Sequence, residues 1–536
     1  MSPSVEPSIA FSNSHPIMSC EEAQAYESEL LDSDEKVWSA METAGRALAR
    51  GILEEYQFTR YGAIGLKTLG LIGKGHNGGD TLLAIAEMAR AGRSSSVVLA
   101  LADARNALKA NTQRALEILE GYLDSEKLQI VDCRELLEQS DESGIGEILA
   151  ERTYDICIDG LLGMQFKPPM RSPAKEMVAA VNSSERIRFR VAVDMPSGFG
   201  DESDTIVFRA DTTFATGIFK KPIAEVAGGF STGCIRYLDI GLFDRFRESP
   251  LRVTTGSLLD GLRARRPANV EKRTYGHLFI IAGSRRMPGA LMMSVKSALR
   301  SGAGLVTVCV PESLAAHLAP MAPEAMWLPW PETRSGGLAS RGLDLFDQIQ
   351  TKASAILVGP GMGDDVDTVS LLIELLKRWS GSTVVDADAL QTRVMYWIQG
   401  PCIITPHLGE FKRIAQLGGS IRDLDRQVKD YAKSNSVVVA LKGPMTRISD
   451  GYHLYLNTTG NSTLARGGSG DLLAGMTAAL LAQSPQDPLG VACKAVHWHG
   501  RAADVLAARK GQVAVETTDL LECYSEALIP PRFSHE

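Results

Sequence analysis

The eight cysteines, at positions 20, 133, 157, 234, 309, 402, 493 and 523, form no C-x-x-C pair. That excludes the disulfide framework of a small secreted domain and the spacing of a structural zinc site. It leaves the thiol usage of a reducing cytoplasm, where the protein is expected to reside. Histidine is equally sparse. His497 and His499 are the one close pair, and with no third ligand nearby a metal centre is not expected there. A basic excess is also missing. Lys and Arg number 56 against 64 Asp and Glu, a formal charge of −8, so no nucleic-acid partner is expected. No apolar run reaches the roughly 18 residues of a membrane-spanning helix, and no membrane association is expected. Met1 to Pro16, rich in Ser and Pro, lacks a basic stretch followed by an apolar one. It reads as disordered rather than as a secretory signal.

At 536 residues the chain exceeds what one hydrophobic core organises, so roughly two to four domains are expected. Its 44% apolar and 22% charged residues are those of a soluble globular protein. Met41, Ala44, Leu48 and Ile52 recur at helical spacing and predict a helix from residue 17 to about 55. Thr68–Ile72 predicts a strand running into Gly73-Lys-Gly-His-Asn-Gly-Gly-Asp80. A helix is then expected from Thr81 to about Ala91 and a strand over Ser96–Leu101, a βαβ unit of a doubly wound sheet. Two further apolar runs end in acids, at Asp159 and at Asp194-Met-Pro-Ser-Gly198, and Thr212–Thr216 and Ile235–Asp239 predict two more strands. Ligands of open α/β sheets sit beyond the carboxyl ends of strands. Asn77, Asp80, Asp159, Asp194 and Ser197 should therefore converge on one pocket.

A basic segment broken by proline, Arg263-Ala-Arg-Arg-Pro-Ala-Asn269, precedes a second α/β set. Its predicted strands begin at His277, Leu305, Ala355, Thr383, Cys402 and Val437. Their loops include Gly359-Pro-Gly-Met-Gly363, Asp386-Ala-Asp-Ala389, Pro406-His-Leu-Gly-Glu410, Lys442-Gly-Pro-Met-Thr446 and Gly467-Gly-Ser-Gly-Asp471. The two halves share an architecture but no sequence repeat.

The last loop opens an apolar helix. Three glycines leave no Cβ to keep a phosphate from the free N–H groups of its first turn. Asp471 would repel an anion, so it suits a proton; an ordinary turn with Asp471 as helix-start residue is the alternative. Lys442–Thr446 can hold a nucleotide phosphate or simply turn, and His407 can be a ligand or structural. Together these loops read as phosphoryl transfer to an alcohol. In the first half, Gly73-x-Gly75-x-x-Gly78 matches the dinucleotide fingerprint, with Asp103 near the place of a ribose-binding acid, which admits an oxidoreductase. Against it, Asp80 sets a carboxylate where a pyrophosphate would lie, unless a cation intervenes. Asn77, Asp159 and Ser197 are oxygen donors of low total charge, suited to a monovalent cation. Asp194 can exchange a proton or cap the strand end.

Taken in order, these motifs resemble those of the bifunctional NAD(P)H-hydrate repair enzymes, over residues 17 to about 530. Gly75–Asp80, Asp159–Gly163 and Val193–Gly198 resemble the epimerase motifs. Gly283–Ala290, Gly359–Gly363, Thr405–Glu410, Lys442–Thr446 and Gly467–Asp471 resemble the dehydratase motifs. The sequence departs from the family pattern at His76, Thr81 and Arg466. The resemblance implies hydrate contacts at His76, Asn77, Gly78, Gly79 and Asp80, at Gly163, Met164, Gln165, Phe166, Lys167, Pro168 and Pro169, and at Asp194. It implies potassium on Asn77, Asp159 and Ser197. In the second half it implies hydrate contacts at Ala290, Gly363, His407 and Asp471. Nucleotide contacts are implied at Lys442, Gly443, Pro444, Met445, Thr446 and Gly470, with magnesium accompanying ADP. Asp194 and Asp471 are the expected catalytic residues.

The expected fold is α/β with two α/β domains: a Rossmann-like epimerase domain over 17–250 and a ribokinase-like dehydratase domain over 271–536. Residues 1–16 are expected to be disordered and 251–270 to form a linker. The expected activity is epimerisation of R and S NAD(P)H-hydrate and ADP-dependent dehydration of the S form, by a homo-oligomer. The alternative is a ribokinase-like small-molecule kinase carrying a non-catalytic nucleotide-binding module.

Overall fold

Short β-branched runs alternating with amphipathic helices bury their apolar faces as a parallel sheet with helices packed on it, and both halves of the chain do so. The computed structural model describes residues 13–59, 62–135, 144–225, 231–243, 247–418 and 423–529. The chain divides into two compact units, His15–Arg247 and Glu248–Glu536, the latter taking in the residues up to Ser14.

In the first unit β1 (Ser14–Met18) leads into helices α1 (Cys20–Leu30) and α2 (Asp34–Gln57). The sheet contains β2 (Leu66–Ile72), β3 (Ser94–Leu101), β4 (Leu128–Asp132), β5 (Tyr154–Gly160), β6 (Ile187–Val193), β7 (Thr212–Thr216) and β9 (Cys234–Leu238). Its order is β4-β3-β2-β5-β6-β7-β9, all parallel. The short β8 (Phe219–Lys220) pairs with β1, setting Lys220 opposite Met18. The winding reverses between β2 and β5, which opens a crevice at their carboxyl ends.

Helix α3 (His76–Arg90) starts in that crevice, five residues before the expected Thr81. Asn77, Gly78, Gly79 and Asp80 are thus its first turn rather than a loop. The glycines make this possible. A Cβ on Gly73 would lie 1.9 Å from the Leu161 carbonyl oxygen, and one on Gly78 2.0 Å from that of Gly73. Backbone packing accounts for Gly73 and Gly78 of the dinucleotide-like spacing, whereas a Cβ on Gly75 would meet nothing within 4 Å, and Asp103 is engaged by Arg134 at 3.1 Å. The helix expected over 17–55 is two helices behind a strand. Ser19 and Ser33 cap α1 and α2, their hydroxyls accepting from the amides of Glu22 and Lys36. Of the segment expected to be disordered, residues 1–12 lie outside the described residues, and Ser14–Pro16 lie in β1.

The second unit contains β10 (Leu251–Thr254), β11 (His277–Ile281), β12 (Leu305–Pro311), β13 (Met326–Trp330), β14 (Ala355–Val358), β15 (Ser382–Val385), β16 (Cys402–Ile404), β17 (Val438–Leu441), β18 (Thr446–Ser449) and β19 (Leu454–Asn457). Their order is β13-β12-β11-β14-β15-β16-β17-β18-β19-β10. Pairing is antiparallel only between β17 and β18 and between β18 and β19. The expected linker, 251–270, therefore begins inside the sheet: Leu251 pairs with Leu454, and Val253, fully buried, with Leu456. The basic run after it masked a strand of four residues. Thr446, expected in a loop, is the first residue of β18.

Helices α4 (Pro288–Arg300), α5 (Leu408–Ile414), α6 (Ser469–Gln483) and α7 (Pro488–Lys510) complete the positioning of the second site. Helix α6 is buried almost all round and packs against α4. A Cβ on Gly475 would sit 2.2 Å from the Ser294 carbonyl oxygen. Each buried Leu or Met of α6 contributes about 1.5–3 kcal/mol, so the turn at its N-terminus is held by the core of the unit.

Gly78→Ala tests the packing account of the first crevice. It should cost the first unit about 1–3 kcal/mol, read as a lower urea midpoint for that unit. An unchanged midpoint would contradict the account.

Candidate active sites

A cavity of about 360 Å³ fills the crevice of the first unit. His76, Asn77 and Asp80 reach it from α3, Gly163, Met164 and Gln165 from the turn after β5, and Asp194 from the end of β6. Gly78 and Gly79, expected at the ligand, face the interior; a Cβ on Gly79 would meet Met41 at 2.3 Å. Phe166, Lys167, Pro168 and Pro169 are not part of the wall either. Phe166 packs against the cluster of Leu69, Leu161 and Met170, while Lys167 and Pro169 are exposed. The Met170 amide donates to Asp204, which draws this half of the turn away from the crevice.

Asp194 has φ 65°, in the left-handed region that favours glycine. Its amide donates to the Phe214 carbonyl at 2.8 Å, and the side chain faces Lys220. Lys220 Nζ lies 2.5 Å from Asp194 Oδ1, and the lysine side chain is 2% exposed. Burial works against that ammonium, but the charges of Asp194 and Glu27 and the hydrogen bond to Asp194 raise its pKa overall. Asp80 is pushed well above the usual carboxylate range by burial first, then by Asp194 and Glu27, with Lys220 opposing. Glu27, also on the wall, is raised mainly by burial. Burial followed by Lys109 lowers the His76 imidazole.

Asp159, Ser197 and Asn77 form one hydrogen-bonded unit. Asp159 Oδ2 accepts from the Ser197 amide at 2.7 Å, and Oδ1 from Ser197 Oγ at 2.6 Å and the Leu161 amide at 3.2 Å. The Leu162 amide donates to Ser197 Oγ at 3.0 Å, and Asn77 Nδ2 donates to the Leu162 carbonyl at 2.8 Å. Burial raises Asp159 to about 6 against these bonds. Its donors are all neutral.

In the second unit the turn Gly467-Gly-Ser-Gly opens α6. Gly468 adopts φ 91°, and the amides of Gly470 and Asp471 fall in the first helical turn, where the helix itself offers no acceptor. A Cβ on Gly470 would lie 3.1 Å from Lys442 Nζ. Lys442 Nζ is 3.0 Å from Asp386 Oδ1 and 4.0 Å from Glu410 Oε2. Asp386, 1% exposed, also accepts from Thr405 Oγ1 at 2.8 Å. Asp388 Oδ2 accepts from the Gly363 amide at 2.8 Å. Asp471 is raised to about 7, by burial first and then by Asp386, with Lys442 opposing and Asp388 and Glu410 adding. Ser294 Oγ donates to the carbonyls of Ala290 and Asp471, each at 3.1 Å, so Ala290 joins the same cluster.

His407 caps α5: its Nδ1 accepts from the amides of Gly409 and Glu410 at 3.0 and 3.3 Å. Of its two open readings the structural one is visible, though the ring remains 62% exposed. Gly443 and Pro444 are exposed and Met445 is buried, so Met445 offers a ligand only its backbone. Arg466, a departure from the family pattern, donates to the carbonyls of Gln512 and Val513 at 3.1 and 2.6 Å. It braces the segment facing the turn. Thr517 Oγ1 donates to the Gly467 carbonyl at 2.9 Å. His497 and His499 have different partners, Thr254 and Ser469, at 3.3 and 3.2 Å, and no disulfide joins any of the eight cysteines. Sequence reasoning missed Glu27, Lys220, Asp386 and Asp388 as site residues. The signal available for the two aspartates was their place at a strand end.

Residues 278–526 match the family described as NAD(P)H-hydrate dehydratase, and residues 39–222 match the YjeF-related protein N-terminus. The bifunctional NAD(P)H-hydrate repair enzyme Nnr of Gloeobacter violaceus is 32% identical over 93% of this chain and 95% of its own length. That of Moorella thermoacetica is 31% identical over 90% of each. The crystal structure of the ADP/ATP-dependent NAD(P)H-hydrate dehydratase from Bacillus subtilis covers 49% of this chain and 92% of its own. Its identity is 28% and its TM-score 0.44.

Asp471 titrates higher folded than unfolded, so its ionisation costs stability. That stability is present at low pH and lost as pH rises through about 7. Asp386→Asn removes the largest charged contribution and should bring Asp471 down toward the ordinary range. A carbon-13 titration of aspartate-labelled protein reads this directly, and an unmoved Asp471 resonance would contradict the arrangement.

Proposed function

This chain belongs to the bifunctional NAD(P)H-hydrate repair enzymes, and from that premise we propose how its two units divide the work. His15–Arg247 interconverts the C6 epimers of the hydrated dihydronicotinamide, with Asp194 exchanging protons. Glu248–Glu536 removes water from the S epimer at the expense of ADP, giving AMP and phosphate. Hydroxide is a poor leaving group and phosphate a good one, which is why a nucleotide is consumed. Asp471 takes the proton of the C6 hydroxyl, whose oxygen attacks the terminal phosphorus of the nucleotide, and phosphate then leaves by elimination.

The observation that carries this reading is Asp471 itself. A carboxyl brought to about 7 by burial and acidic neighbours is matched to abstract a proton near neutral pH. Beside it, the amides of the α6 turn and Lys442 offer positive charge to a phosphoryl group. Three carboxyls, those of Asp386, Glu410 and Asp471, act on one lysine, and a fourth, Asp388, acts on Asp471. That acidic surplus fits a magnesium ion arriving with the nucleotide and held chiefly by its phosphates. Magnesium would neutralise charge on the transferring phosphoryl group.

In the first unit a potassium ion would be held by Asn77, Asp159 and Ser197. The support is a fully buried carboxylate whose partners are all neutral; a monovalent cation would compensate it. Cytoplasmic residence is the reading supported by eight cysteines with no disulfide among them. No helix among the described residues is long and apolar enough to cross a membrane.

Asp471→Asn should lower NADH recovery from S-hydrate, ADP and Mg²⁺ by at least about 100-fold and leave epimerisation unchanged. Recovery at the parent rate would sink the assignment. For the cation, replacing tetramethylammonium chloride with potassium chloride should raise the unfolding midpoint of the first unit, and Asp159→Asn should abolish the difference. Equal midpoints for the parent chain in the two salts would remove the site.

A further inference from the structure

Epimerisation at C6 requires more proton chemistry than one carboxylate supplies. The C6–O bond breaks as the N1 lone pair forms an N1=C6 double bond, and the departing oxygen must receive a proton to leave as water. Water then adds to C6 from the opposite face, the electrons return to N1, and the incoming oxygen must give a proton up. One group has to begin protonated and another ionised.

The cavity of the first unit holds such a pair. Lys220 is buried and its ammonium is bonded to Asp194 at 2.5 Å, so Asp194 is the carboxyl that shares the cation. Asp80 lies on the same wall, and its buried Oδ1 has no hydrogen-bond partner among the described residues. The charged and titratable groups around Asp80 are Lys220 from β8, Asp194 after β6, Glu27 from α1, His76 from its own turn and Lys109 across the cavity. Three carboxyls thus share one buried ammonium. The one bonded to it is its counter-ion, and the unbonded, buried one is the one whose surroundings favour a proton. Burial, Asp194 and Glu27 all push Asp80 in that direction.

We propose that Asp80 is the second catalytic residue of the first unit, the proton donor to the departing C6 hydroxyl, paired with Asp194 as the acceptor from the incoming water. Lys220 is a positioning residue that fixes which carboxyl plays which part. One conversion moves one proton from Asp80 to Asp194. The reverse conversion moves it back with the roles exchanged, and solvent resets the pair between turnovers in one direction. This rests on reading the first unit as an epimerase.

The test uses the full chain without nucleotide, so that only epimerisation proceeds, and follows conversion of purified R-hydrate to S-hydrate across pH. For the parent, the rate should fall at alkaline pH as Asp80 loses its proton. Asp80→Asn should be at least about 100-fold slower and lack the alkaline fall. Asp80→Glu keeps a titratable carboxyl on the same turn and should keep the fall at a reduced rate, which a packing role for Asp80 would not give. Lys220→Met should move the fall to higher pH, because Lys220 opposes protonation of Asp80. Glu27→Gln should retain the fall. Full activity of Asp80→Asn, or an alkaline fall that disappears with Glu27→Gln instead, would overturn the proposal. A parent chain that does not epimerise at all would instead defeat the reading on which the proposal rests.

Discussion

Each unit of this protein is organised around one lysine outnumbered by carboxyls, buried in the first unit and partly buried in the second. In the first, Lys220 is bonded to Asp194 while Asp80 and Glu27 act on the same space. In the second, Lys442 is bonded to Asp386 while Asp471, Glu410 and Asp388 crowd around. In a poorly solvated site a single ammonium cannot compensate several carboxylates. Some carboxyls must hold protons near neutrality or await a cation from outside. Two sheets with different strand orders thus arrive at the same electrostatic condition, and the proton chemistry proposed for each site rests on it.

Backbone packing makes those clusters possible. Gly73 and Gly78 let the start of α3 lie against the Leu161 turn, which brings Asp80 and Asn77 into the crevice between β2 and β5. Gly475 lets α6 approach α4, and burial of α6 from Leu472 to Ala482 fixes the turn that carries Asp471. The strand pair β1–β8 holds Lys220 opposite Met18, and its ammonium meets Asp194. In each case the sheet decides where the carboxyl ends of strands meet, and small residues decide how closely the loops follow.

Much of this was legible in the sequence because it is local. Apolar runs ending in Asp159, Asp194 and Gly359 report both the strand and the polar group beyond it. The Gly467–Asp471 turn likewise reports its helix. What escaped depends on tertiary contact. Lys220 looks like half of a surface Lys-Lys pair until β1 closes over it. Asp386 looks like a strand-end cap until Lys442 arrives from 56 residues away. Gly78 is packed against the Gly73 backbone and Gly79 against Met41, close approaches that sequence spacing alone does not report. Leu251–Thr254 was hidden by the basic segment behind it, and its partner strand, Leu454–Asn457, is some two hundred residues distant in sequence.

The central claim is that one chain carries both halves of a repair reaction, with phosphate released rather than retained. It is tested most directly by supplying purified R-hydrate of NADH, ADP and Mg²⁺ to the full chain, and following near-ultraviolet absorbance and inorganic phosphate together. The account predicts that NADH and phosphate appear in equal amounts, and that the hydrate is consumed completely although it was supplied as the epimer the second unit does not use. A stable phosphate ester with no NADH, or R-hydrate left untouched while S-hydrate is consumed, would contradict it.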